Sequence, residues 1–92
     1  MFYNSLGEII KVITVEKSID IPNGYSAQTI TATIPEGYKV ASFCFWGKMG
    51  YANIGYMNEY FTMNNAFGCL INNVRGQNVS DTLVLSITLI KE

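Results

Sequence analysis

The residues that could do chemistry are few, and their types argue against catalysis. The 92-residue sequence contains no histidine, the usual general base and the usual partner of serine and cysteine nucleophiles. Glycoside hydrolysis needs two carboxylates across a cleft. The acids away from the termini and the first strand are scattered: Asp20, Glu36, Glu59 and Asp81. Glu36 in its Pro-Glu-Gly turn and Asp81 beside a strand start are ordinary solvated positions, so we expect no enzymatic activity and no catalytic residue.

The two cysteines, Cys44 and Cys69, match no metal-binding spacing, and without histidine a zinc site lacks ligands. The sequence also has no Asp-x-Asp-x-Asn cluster for calcium, no G-x-G-x-x-G and no P-loop. We therefore expect no metal site and no cofactor. Since nothing argues for an oxidising compartment, we predict that both thiols are free and buried.

Charge argues against nucleic acid and against a membrane as partners. The formal net charge is −1, and the six basic residues are scattered, whereas phosphate binding needs a concentrated basic face. No apolar run reaches the roughly 18 residues that span a bilayer, and the first residues do not read as an export signal. We expect no nucleic-acid binding, no membrane insertion and no leader or anchor in this sequence.

The elements that must position any site are strands. Runs rich in β-branched and aromatic residues alternate with Gly, Pro and Asn at spacings of roughly 8 to 12 residues, which favours an antiparallel β-sandwich or jelly-roll of seven or eight strands. The predicted strands cover residues 8–15, 18–21, 27–34, 38–46, 51–57, 60–63, 67–74 and 80–91. We predict one domain over residues 1–92, with residues 1–6 as a flexible lead-in or a joint to another module.

Alternation along two of these strands predicts which side chains face inward. The strand at residues 80–91 is predicted to direct four side chains to the core: Leu83, Leu85, Ile87 and Leu89. Its other face is partly apolar because of Val84 and Ile90. The strand at residues 38–46 is apolar on both faces, with Val40, Cys44 and Trp46 on one and Ala41, Phe43 and Phe45 on the other. Such a strand is expected to be central or to lie at a subunit contact.

The segment from residue 46 to residue 65 is the best candidate for binding. Its aromatic residues alternate with Gly, Asn and Met, and only Lys48 and Glu59 are charged. This composition suits protein epitopes and sugar rings, although the same aromatics could simply fill the core. The predicted ligand-binding set is Trp46, Tyr51, Asn53, Tyr56 and Tyr60.

Charge is depleted over a longer stretch as well. Only Lys48 and Glu59 are charged between residues 40 and 74, and charged residues make up 14% of the chain, against about 25% in an average domain. An exposed apolar area of more than a few hundred square ångströms usually marks an interface. Symmetric self-association would cover it with one repeated patch, and a monomer with an Asn- and Thr-rich surface is the alternative.

Three segments resemble known modules. They are Thr-Ile-Thr-Ala-Thr-Ile-Pro-Glu-Gly-Tyr-Lys at residues 29–39, Leu-Ile-Asn-Asn at residues 70–73 and the closing strand at residues 82–90. With the aromatic middle, they resemble small β modules in tail proteins of phages and prophages of Gram-positive bacteria. The resemblance covers about residues 18–91, and its best anchor is the Pro-Glu-Gly-Tyr turn at residues 35–38.

This resemblance implies a receptor-binding or tip module of a tail fibre or baseplate. Such a module would be a homotrimer that binds a host cell-surface saccharide, contacts other tail proteins, and belongs to the virion after synthesis in the bacterial cytoplasm. Two alternatives stay open. One is a structural module without ligand that caps or registers a fibre, and the other is a small phage-encoded inhibitor that docks on a host protein.

Overall fold

The computed structural model describes residues 9–50 and 54–92, with the backbone alone for residues 54–57. These residues form six strands: β1 (Ile10–Ile21), β2 (Gly24–Thr31), β3 (Tyr38–Gly47), β4 (Ile54–Phe61), β5 (Ala66–Asn73) and β6 (Val79–Lys91). All strand pairs are antiparallel, so the all-β prediction is confirmed. Within the described ranges, no helix is long and apolar enough to cross a membrane.

Among the described residues, six strands stand in place of the predicted seven or eight, because two pairs of predicted strands are continuous there. The sequence predicted a break at Glu16 and Lys17, between the strands at residues 8–15 and 18–21. In the structure Glu16 pairs with Val84 and Lys17 with Leu83, so β1 continues through both residues. The described part of the strand predicted at 51–57 and the start of the strand predicted at 60–63 meet in β4, where register shifts take up the polar residues between them. Both merged strands lie at sheet edges, where polar side chains reach solvent and do not interrupt the backbone ladder.

The strands form two three-stranded sheets that pack as a sandwich. Sheet A has the order β1-β6-β3, and sheet B has the order β2-β5-β4. One cluster of buried side chains joins the inner faces of both sheets. The predicted core residues of β6 are confirmed, because Leu83, Leu85, Ile87 and Leu89 are all fully buried. The sandwich prediction therefore holds, and the homotrimer stays a prediction.

A bulge in β3 corrects the predicted faces of that strand. The pairing with β6 shifts register between Val40 and Ser42, so Val40 lies opposite the buried Leu89 and packs against the core. Val40 therefore shares the inner face with Phe43 and Phe45, and not the outer face with Cys44 and Trp46. A bulge inserts one extra residue and inverts the alternation beyond it, which a strict period of two does not anticipate.

Charge depletion over residues 40–74 has a partly internal cause. Strand β5 is the central strand of sheet B, with six of its eight residues buried. A central strand under a packed face needs no charged side chains, so part of this depletion reflects the core and not an interface.

Asn73 fixes the corner where β5 ends. Its side chain is 2% exposed, and Nδ2 donates hydrogen bonds to the carbonyl oxygens of Ile21 at 3.2 Å and Gln77 at 2.8 Å. Oδ1 accepts a hydrogen bond from the Arg75 amide at 3.0 Å. One buried amide thus joins the end of β1 to both sides of the loop between β5 and β6, because it satisfies three backbone groups.

Asp81 departs from the expected solvated position. It is 5% exposed, and its Oδ1 accepts hydrogen bonds from the amides of Met49 at 2.8 Å and Thr82 at 2.7 Å. The carboxylate therefore stabilises the turn after β3 from the neighbouring strand. Glu36 is exposed, as predicted.

Both cysteines are free, but only Cys69 is buried, so the prediction for Cys44 was wrong. Burial raises the pKa of the Cys69 thiol to about 11. The thiolate is the reactive form, so at pH 8 a thiol reagent should label one cysteine per native chain quickly and the second only after unfolding. A Cys44→Ser variant should lose the fast labelling, and fast labelling that survives this change would contradict the assignment.

Candidate functional site

A groove on the outer face of sheet B is the candidate site among the described residues. Side chains alternate along β4, so Tyr60 points into the core while Glu59 and Phe61 point outward. Glu59 is paired with Gly68 on the central strand β5, and Thr29 of β2 lies opposite Gly68 on its other side. Three strands thus bring Glu59, Phe61 and Thr29 around one glycine.

Gly68 allows neighbouring side chains to approach the backbone of β5 closely in this groove. A Cβ placed on it would lie 3.3 Å from Cε2 of Phe61 and 3.5 Å from Cγ2 of Thr29. The Phe61 ring therefore packs against the glycine backbone, and a larger residue would fill the space between ring and methyl group. Glycine inside a strand often marks such a close approach.

The groove, which we call the Gly68 groove, encloses about 200 Å³. Its lining is mostly apolar and consists of Ala27, Gln28, Thr29, Glu59, Phe61, Gly68, Cys69 and Leu70. This volume is smaller than the roughly 300–1,000 Å³ of drug-sized pockets, so the groove suits one ring-sized group. Phe61 is 45% exposed, which leaves much of its surface open to a ligand.

The structure does not place Trp46 and Tyr60 of the predicted set on one surface. Trp46 is 44% exposed and lies on the outer face of sheet A, where it pairs with Val84. Tyr60 lies between the sheets, stacked on Phe67 with ring centroids 4.5 Å apart, and its hydroxyl donates to Oδ1 of Asn65 at 2.9 Å.

The other predicted residues are not placed as side chains. Tyr51 and Asn53 lie outside the described residues. The backbone of Tyr56 lies on β4 opposite Leu70, which lines the Gly68 groove.

Trp46 has charged neighbours across sheet A. Glu16 of β1 and Trp46 of β3 flank the same residue of β6, Val84. Lys48 Nζ forms an ion pair with Oε1 of Glu16 at 2.6 Å. Val84 is only 3% exposed although it faces outward, because these side chains flank it on both sides. An exposed ion pair contributes at most about 1 kcal/mol, so its main effect is to cover apolar surface.

Sequence reasoning missed Phe61 and Gly68 as site residues. Phe61 belonged to the aromatic segment but was not selected, because its direction depends on the register of β4. The one available signal was Gly68 itself, a glycine inside a predicted strand.

Comparisons with protein-family models, with curated proteins and with solved structures found no match to this chain. Among the residues that the structure describes, no three side chains of His, Cys, Asp or Glu are grouped so that they could hold a metal ion.

Proposed function

We propose that this protein is a non-enzymatic binding module that takes one saccharide ring in the Gly68 groove. The observation that carries the proposal is that Phe61 and Glu59, both on the outer face of β4, line one groove together with Gly68 of β5. The C–H face of a sugar ring can stack on the aromatic ring, while its hydroxyl groups donate to the carboxylate.

The carboxylate favours a sugar over an apolar side chain as ligand. An apolar group in this groove would take water away from Glu59 without replacing its hydrogen bonds, which is unfavourable for a charged group. Sugar hydroxyls satisfy the carboxylate and cover the apolar lining at the same time. One small groove implies a weak single site, with a dissociation constant of about 1–10 mM, so useful affinity requires several copies.

The resemblance to phage tail modules supplies the context for this proposal. A weak saccharide site repeated in a homo-oligomer fits a receptor-binding tip that recognises a host-surface glycan by avidity. The trimer and the association with other tail proteins remain predictions from that resemblance.

A protein-detected NMR titration tests the saccharide site. Glucose, galactose, rhamnose and N-acetylglucosamine are the probes, and we expect at least one to shift the amides of Gly68 and its neighbours. Phe61→Ala should weaken binding about 2- to 10-fold, because aromatic contacts contribute roughly 0.5–1.5 kcal/mol beyond area.

Trp46→Ala is the matched control, because Trp46 is equally exposed but lies on the other sheet. If Trp46→Ala weakens binding while Phe61→Ala does not, the Gly68 groove is the wrong site. If no probe shifts any amide at about ten times the expected dissociation constant, the saccharide proposal fails.

A structural module without ligand is the second candidate function. The exposed Trp46 on sheet A favours it, because tryptophan is enriched at protein contacts. In that case the titration would show no binding, and Trp46→Ala would change the solution mass.

A further inference from the structure

The sandwich has four edge strands, and three of them carry features that hinder pairing with another strand. Strand β3 has the bulge between Val40 and Ser42, and the register of β4 is irregular at two places. Strand β2 has only eight residues, and its Thr29 carbonyl oxygen accepts a hydrogen bond from Lys17 Nζ at 2.9 Å. Bulges, short edges and lysines are the devices by which proteins prevent edge-to-edge association.

Strand β1 is the fourth edge and differs from the others. It runs for 12 residues in unbroken register with β6, and no other described strand pairs with it. Its first half is rich in β-branched residues and open to solvent, with Ile10 45% and Val12 63% exposed. Such an edge presents a row of backbone donors and acceptors without strand partners, which can template pairing with another chain.

The two lysines of β1 do not protect its first half. Both point to the inner side of the sheet, since Lys11 pairs with Leu89 and Lys17 with Leu83. The ammonium group of Lys11 lies 5.0 Å from the centroid of the Tyr38 ring, on the opposite edge of sheet A, and so turns away from the free edge. Lys17 reaches toward β2 and covers only the second half of β1. Neither lysine therefore covers the free edge of residues 10–16, and no other described strand does.

We propose that two copies of this chain associate by antiparallel pairing of residues 10–16 of β1, so that both A sheets form one continuous six-stranded sheet. A two-fold axis normal to the sheet places the inner faces of both A sheets on the same side of the joined sheet. Residues that pair across the contact must therefore belong to the same face. Centring the axis on Ile13 pairs residues 10–16 with themselves and brings no two charged residues opposite each other, whereas in the register centred on Val12 only residues 10–14 pair and Glu16 would fall opposite Glu8. Centring it on Thr14 would set Lys11 against Lys17, a like-charge pair.

The partner is a second copy because the segment complements itself. In the register centred on Val12, the two exposed valines face each other and Ile10 faces Thr14 of the second copy. In the register centred on Ile13, Val12 faces Thr14 and the two valines are diagonal neighbours. Either way the two Val12 side chains come within about 8 Å, and paired β-branched residues stabilise a sheet.

The contact is two-fold and gives a dimer, which distinguishes it from the trimer that the resemblance implies. Two short paired segments bury less than roughly 1,200 Å², so the dimer should be weak, with a dissociation constant of about 10 µM to 1 mM. This inference does not depend on the saccharide groove, because the groove lies on sheet B.

Sedimentation equilibrium of the full chain over that concentration range tests the proposal. The wild type should fit a monomer–dimer equilibrium, and Val12→Lys should raise the dissociation constant at least 10-fold, because two ammonium groups would lie close together across the contact. The matched control is Val74→Lys, the same change at a residue that is 75% exposed and lies outside the strands, which should leave the dimer unchanged.

Hydrogen exchange provides a second measurement that needs no variant. Amides of residues 10–16 should exchange more slowly at high protein concentration than at low concentration, while those of β2 should not change. A monomer at about 1 mM, a trimer, or a dimer that Val12→Lys leaves intact would each overturn the proposal.

Discussion

Replacing Phe67 with alanine is expected to lower the free energy of unfolding by about 3–5 kcal/mol, the range for a phenylalanine removed from a packed core. Phe67 is fully buried and joins the two sheets. Its ring stacks on Tyr60 at 4.5 Å and meets the edge of Phe43 at 5.1 Å between centroids. The substitution leaves a cavity and removes both aromatic contacts, and chemical denaturation measures the loss.

A domain of this length has about 5–14 kcal/mol of stability in total, so this loss is a large fraction of it. Met63→Ala is the control, because Met63 is 98% exposed and the change should cost less than about 0.5 kcal/mol. A loss below about 1 kcal/mol for Phe67→Ala would mean that the sheets do not meet at this ring.

Replacing Asn73 with aspartate should destabilise the fold by about 3 kcal/mol or more at pH 7, although the shape hardly changes. The amide nitrogen that donates to the carbonyl oxygens of Ile21 and Gln77 becomes an oxygen, which cannot donate when ionised. The buried site then holds a negative charge against two carbonyl groups. Chemical denaturation at several pH values measures the effect.

The pH dependence separates this cause from a simple packing defect. Burial and the facing carbonyl oxygens would raise the folded-state pKa of the introduced carboxyl above its unfolded value of about 3.9. The defect relative to wild type should therefore be smallest below about pH 4 and grow as the pH rises through the folded-state pKa. Asn64→Asp, at an exposed turn residue, should show no such growth. An equal defect at pH 4 and pH 8 would contradict this account.

The sequence predicted the fold class because alternation is a local property. The buried face of β6 was correct at Leu83, Leu85, Ile87 and Leu89, since each side chain depends only on its own strand. The breaks predicted within β1 and β4 and the faces predicted for β3 were wrong for a non-local reason. The partner strand determines whether pairing continues through Glu16 and Lys17 and whether the register shifts at Ala41. The sequence pattern of a single strand carries no information about its partner.

The candidate site was less predictable for the same reason. Phe61, Glu59 and Gly68 meet only through the register between β4 and β5, and Thr29 joins them through the register of β2. Composition indicated residues 46–65 as a binding segment but left open which of its aromatics are exposed, and Trp46 and Phe61 are both about half exposed. It did not separate these from Tyr60, which fills the core.

The strand order of sheet A has a consequence for the newly made chain. Strand β6 is the central strand of that sheet and follows all other described strands in the sequence. Ile10 therefore cannot form its strand pair until Ile90 has been synthesised. Until β6 leaves the ribosome, β1 and β3 have no partner within sheet A, and their apolar faces stay open to solvent. Closing so long a loop is entropically slow, so folding should be limited by the meeting of distant segments. During that interval, the nascent chain is most exposed to proteases and chaperones.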